Sequence, residues 1–195
     1  MRPHRTRRLL RHAVAGLLLG AAAPGLVACA SPDPVLYTLS PVDGAPRSGG
    51  PARVEVREIG LARYLDRPQI VLSTADSRVD IAANQRWGDP FGAMFSRVLA
   101  ENLSQRLPGS LVYNDTGTLS VTPNAVVEVS LQRLDRDRDG SILMVAQVAV
   151  MRGGSTAARA VRLSVPPAGS STQDNVRAMS KATGELADII AAMLA

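Results

Sequence analysis

The chain reads as an α/β (α+β) fold: a mixed, largely antiparallel sheet with two long helices packed on one face. Two observations predict it. Residues 89–107 and 173–194 repeat apolar side chains at the helical period, whereas the stretch between them alternates at the strand period of two. Asp139-Gly140 and Gly153-Gly154 punctuate that stretch as tight turns would. A sheet with one solvated face and one covered by amphipathic helices buries both patterns at once.

The elements follow in order. Val35-Leu36-Tyr37-Thr38-Leu39 is a first strand, and the Gly- and Pro-rich residues 40–51 are a loop. Residues 53–59 alternate charged with apolar, as a half-buried strand does. Residues 69–73 and 78–82 are two further short strands. Asp89 is placed to cap a helix that takes Pro90 as its first residue. Phe91, Phe95, Val98, Leu99 and Leu103 form its apolar stripe, and Leu107-Pro108-Gly109 ends it. Residues 110–113 are a short strand. A meander then fills the second half. Residues 125–134 put Val127, Val129 and Leu131 on one face against Glu128, Ser130 and Gln132 on the other. Residues 141–152 are apolar on both faces, which places them centrally, and residues 158–165 return before Pro166-Pro167. The last helix, from about Gln173 to Leu194, buries Val176, Met179, Thr183, Leu186, Ile190 and Met193 or Leu194. Met144, Met151, Met179 and Met193 are expected to fill gaps in the core.

The N-terminus carries a different message. Arg2, Arg5, Arg7, Arg8 and Arg11 precede an apolar run over residues 13–23, too short to span a bilayer, where roughly 20 residues are needed. Leu26-Val27-Ala28-Cys29 follows, and Cys29 is the only cysteine in the chain. This is the pattern of a bacterial lipoprotein signal, in which the cysteine is lipidated and becomes the new N-terminus. Residues 1–28 are then a signal that is removed, 29–34 a lipidated tether, and 35–195 a single periplasmic domain.

Removal of the signal changes the chemistry of what remains. Its five arginines are part of 22 basic residues set against 17 acidic ones, so the mature chain carries 17 of each sign. A nucleic-acid footprint needs an excess of positive charge and is not expected. Both histidines, His4 and His12, leave with the signal. That takes away imidazole acid–base catalysis, His-activated nucleophiles and thiolate or imidazole zinc sites. No metal, cofactor or catalytic group is expected, and the chain reads as a non-enzyme; a carboxylate-only glycan hydrolase ranks last.

Asp135-Arg136-Asp137-Arg138-Asp139-Gly140 copies the opening of a calcium loop, but its twelfth position is Ala146 and strands flank it. A hairpin turn is the expected reading. Tyr64, Leu65, Asp66, Arg67 and Pro68, together with Arg86, Trp87 and Asp89, are less easily assigned to packing. Each group sets an aromatic beside an Asp and an Arg. The packing alternative is local Asp–Arg pairing, capping by Asp89 and a buried Trp87 plug.

Taken with Cys29, Tyr37-Thr38-Leu39 and Leu99-Ala100-Glu101-Asn102-Leu103, these segments resemble the PqiC (YmbA) family. Its members are auxiliary lipoproteins of ABC-type transport systems built around MCE-domain proteins. The resemblance implies an outer-membrane lipoprotein on the periplasmic face, forming a homo-oligomeric ring and docking on a PqiB-like MCE tunnel. It implies help with lipid movement between membranes without chemistry. Ala30 and Ser31 lack the Asp of inner-membrane retention, which favours the outer membrane. The alternative function is a structural lipoprotein scaffolding another envelope assembly.

Overall fold

The computed structural model describes residues 32–74, 77–115, 117–119 and 121–195. The expected signal and residues 29–31 of the expected tether, Cys29 among them, lie outside the described residues.

In chain order the elements are β1 (Val35–Tyr37), β2 (Arg53–Val56), β3 (Gly60–Leu61), β4 (Gln69–Ser73), β5 (Asp80–Trp87), α1 (Phe91–Arg106), β6 (Leu111–Asn114), β7 (Ala125–Arg136), β8 (Ile142–Arg152), β9 (Ser155–Val165) and α2 (Thr172–Leu194). The two longest ladders, β7 with β8 and β8 with β9, are antiparallel and form the expected meander. Gly153 and Gly154 both hold positive φ in the connection of β8 to β9, a conformation glycine adopts without the penalty a Cβ brings.

The opposite edge of β7 is covered piecewise. β2, β3 and β4 pair with it in succession and in parallel, through Val54–Val56, Gly60–Leu61 and Ser73. β6 adds outside β2, β5 adds antiparallel outside β4, and β1 adds in parallel outside β5. The sheet is therefore mixed, with most of its paired length antiparallel. β3 is too short for a period-two pattern to betray it. β5 runs on to Trp87, five residues past the predicted end at Ala82, so Arg86 and Trp87 belong to a strand.

Both helices cover the face carrying Val54, Val56, Val127, Val129, Leu131, Met144, Ala146, Val148 and Val161, all of them buried. The predicted α1 stripe of Phe91, Phe95, Val98, Leu99 and Leu103 is buried, as are Val176, Met179, Thr183, Leu186, Ile190 and Leu194 of α2. Met144 and Met179 are core residues, while Met151 and Met193 are only half-buried. Ser171 caps α2, its hydroxyl accepting from the Asp174 N–H at 3.1 Å.

Asp89 does not cap α1. The helix starts one residue later than expected, with Pro90 at the cap position and no side-chain cap, and Asp89 instead approaches Arg97 at 3.9 Å. The Pro90 carbonyl takes the first helical bond, from the Met94 N–H. Pro90 has a helix-like φ of −51° but an extended ψ of 125°, so it stands at the cap and Phe91 is the first helical residue.

Candidate functional site

The two aromatic–acid–base segments meet. β4 begins at Gln69, which pairs with Arg86 of β5, and the Trp87 N–H donates to the Pro68 carbonyl at 2.8 Å. On the other side Tyr37 pairs with Trp87, and the Gly88 N–H donates to the Tyr37 carbonyl. Residues separated by some twenty positions thus form one corner, where β1, β5, the loop before β4 and the start of α1 converge.

Within the corner the side chains divide by role. Leu65 and Trp87 are buried; the Trp87 ring lies 4.9 Å from that of Phe91, which in turn meets Phe95 edge-on at 6.0 Å. This is the Trp plug. Tyr64 is half-buried and its hydroxyl donates to Asp135 at 3.0 Å, with the Gln132 carbonyl at 3.2 Å. Asp66, Pro68, Arg86 and Asp89 face solvent, and Arg67 is half-buried with a buried Nε that makes no hydrogen bond. No Asp66–Arg67 pairing forms the local brace expected from packing. The exposed side chains of this corner carry both signs of charge, while Tyr64 is drawn inward.

Asp135 shows why. A register shift in β7 between Leu131 and Arg133 reverses the alternation, so that Leu134 points inward and Asp135 lies on the other side. There its carboxylate is fully buried and accepts from Tyr64, from the N–H and hydroxyl of Thr74, and from Arg133 at 3.0 Å. Burial, and then the charge and hydrogen bond of Asp135, push the Tyr64 phenol far above its ordinary range. Burial alone would lower Arg133, but hydrogen bonds and charges from Asp135 and Asp137 outweigh it and raise it. Asp137 is held below the usual carboxylate range by the Arg138 backbone N–H, against a small burial effect, and by Arg133 and Arg162.

The Asp-Arg repeat is the turn from β7 to β8. The Asp137 N–H donates to the Ser141 carbonyl, the Gly140 N–H donates to the Asp137 carbonyl, and Asp139 accepts from the Ser141 N–H at 2.9 Å. Asp135 and Asp139 are thereby spent on different partners. Among the described residues no group of three or more acids, cysteines or histidines could hold a metal ion. An open cleft of about 540 Å³ beside the turn is lined by Thr74, Ser77, Arg133, Asp137, Arg138 and Arg162.

Sequence reasoning missed Asp135 as the partner of Tyr64, and Thr74 and Arg133 as partners of Asp135, and no local signal marks them. It also missed Arg106, which is buried and bonds Asp188 at 2.6 Å, the Val42 carbonyl at 3.0 Å and the Asn102 carbonyl at 3.1 Å.

A family model described as "ABC-type transport auxiliary lipoprotein component" matches residues 37–191, which run from the end of β1 nearly to the end of α2. The crystal structure of an uncharacterized protein is similar at a TM-score of 0.71 and 19% identity, over 84% of this chain and 100% of that one. A Xanthomonas campestris protein of the DUF330 family is similar at a TM-score of 0.64 and 13% identity, over 82% and 95%. At these identities the likeness is one of fold. No curated protein matches the sequence.

Proposed function

Because the chain belongs to the family of ABC-type transport auxiliary lipoprotein components, we propose that it is the lipid-anchored, non-enzymatic accessory of an intermembrane lipid transport system. In this reading Cys29 carries the lipid and the domain sits on the periplasmic face of the outer membrane. Its partner is a PqiB-like MCE-domain tunnel rising from the inner membrane. The observation that carries the reading is the family match over nearly the whole domain, joined to Leu26-Val27-Ala28-Cys29 at the N-terminus.

The site supports it by what its residues are free to do. Tyr64, Leu65 and Trp87 hold the corner rigid, and Asp66, Arg67, Arg86 and Asp89 present both signs of charge on it. Mixed charge on a rigid frame sets register and selects a partner more than it adds raw affinity. The ring has its own support. Among the described residues β9 pairs only with β8, which leaves the outer edge of an 11-residue strand open, and an open edge is a template for another strand.

Purification of the lipidated protein from detergent-solubilised envelopes tests the proposal. The expected companion is an MCE-domain protein, lost when Asp66→Arg is combined with Asp89→Arg. Recovery with an unrelated outer-membrane assembly, or alone, would favour a scaffolding lipoprotein instead.

A further inference from the structure

The chain enters the fold alongside β5, next to four exposed apolar side chains. β1 is parallel to β5, β5 antiparallel to β4, and β4 parallel to β7. β1 therefore runs antiparallel to β7: Val35 is level with Gln85, and the chain entering β1 comes along β5 from the side of the β7–β8 turn. The Asn84 side-chain amide donates to the Asp33 carbonyl at 3.0 Å and so fixes where the tether leaves. On one side of that point lie Val35 and Leu36, 52% and 62% exposed, and on the other Val79, just before β5, and Ile81, near its start, 44% and 43% exposed. Large apolar side chains left in water on two adjacent strands mark a contact surface.

The length of chain before β1 names the occupant. Four peptide steps separate Cys29 from Asp33, which is at most about 14 Å even when fully extended. That is comparable to the headgroup layer, since hydrocarbon occupies about 30 Å of a bilayer some 40–45 Å thick. A tether this short makes contact between the patch and the bilayer intramolecular, so even a weak contact is populated. The same end of the sheet carries the charged β7–β8 turn, where Arg133 pairs with Asp135 and Asp137, and Arg78 pairs with Asp80 at 2.8 Å, while Arg86 shares the face of Leu36. Such paired charges suit the polar headgroup layer, not the hydrocarbon.

We propose that Val35, Leu36, Val79 and Ile81 form a second membrane contact, seated in the headgroup region of the bilayer that holds the anchor. This rests on Cys29 being lipidated and adds an orientation to it. The end of the sheet bearing the β7–β8 turn faces the membrane, and the β8–β9 turn, at the other end of an 11-residue ladder, points into the periplasm.

The lipidated protein in vesicles of phosphatidylethanolamine and phosphatidylglycerol provides the test. With Cys29 blocked by its lipid, Leu36→Cys, Ile81→Cys or Ser155→Cys each supplies a single free thiol for a nitrobenzoxadiazole probe. Probes at 36 and 81 are expected to shift to the blue and to be quenched about twofold by headgroup-spin-labelled lipid, as interfacial burial requires. The probe at 155 is expected to stay unaffected. Leu36→Asp with Ile81→Asp, both at exposed positions, should abolish the response of a probe at Val79→Cys. Equal behaviour at 36, 81 and 155 in a protein whose mass shows the lipid overturns this contact and leaves the anchor standing. A mass without lipid overturns the anchor, and the contact with it.

Discussion

Tyr64 ties the loop before β4 to the buried Asp135, and the bond runs from a phenol to a carboxylate. Hydrogen bonds to charged groups contribute about 1.5–3 kcal/mol, so Tyr64→Phe should destabilise by that amount in urea titrations at neutral pH. The shift also predicts a direction with pH. The folded phenol is raised above its ordinary 10.0, so its contribution is complete below that value. It drains away as pH rises, because the unfolded chain ionises first. Tyr64→Phe should therefore flatten the alkaline loss of stability; an unchanged slope would exclude this phenol as its source. Arg106 makes a second residue-scale case. Asp188 is 43% exposed, so water takes up part of its role, and Asp188→Ala should cost about 2 kcal/mol. Gly44 packs its backbone on the same guanidinium, which a Cβ there would overlap. Gly44→Ala should cost about 1–3 kcal/mol by overpacking, measured by the same titration.

At the scale of elements, the helix starts distinguish composition from geometry. Ser171 caps α2 by accepting from the Asp174 N–H, and Ser171→Ala should cost about 1 kcal/mol. Asp89 looks equally suited in sequence, yet makes no cap, so Asp89→Ala should change stability by less than about 0.5 kcal/mol, as surface substitutions do. A thermal melt of each variant compares the two. The long elements were legible because each carries enough repeats of its period to stand out: α1, α2, β7 and β8 fall within two residues of their predicted bounds. β9 begins three residues earlier than expected, since Ser155, Thr156 and Ala157 are exposed and carry no alternation. β3 and the second half of β5 were not legible, because their pairing is set by β7 and by β1 and β4.

For the whole molecule, Cys29→Ser should leave the domain folded and release it from the membrane fraction, as immunoblots of fractionated cells and labelling with palmitate would show. Palmitate retained by that variant would contradict the anchor. The open edge of β9 carries a separate expectation about assembly. Ala158→Lys with Ala160→Lys, at exposed positions of that strand, should reduce the native mass towards one protomer with circular dichroism unchanged. An unchanged mass would move any ring contact to another surface.

The sequence by itself determined what depends on local order and on counting. The helical stripes, the meander, the tight turns, the Leu26-Val27-Ala28-Cys29 motif and the position of both histidines ahead of it are all of this kind. It also identified both halves of the corner at residues 64–68 and 86–89. Only the tertiary structure decided what those halves do. The register shift in β7 turns Asp135 towards Tyr64, and strand pairing brings Pro68 against Trp87. These contacts join residues tens of positions apart, and they exist only because one long strand pairs in succession with three short ones. No period or spacing within a single segment encodes that, because the energy that fixes it belongs to the sheet as a whole.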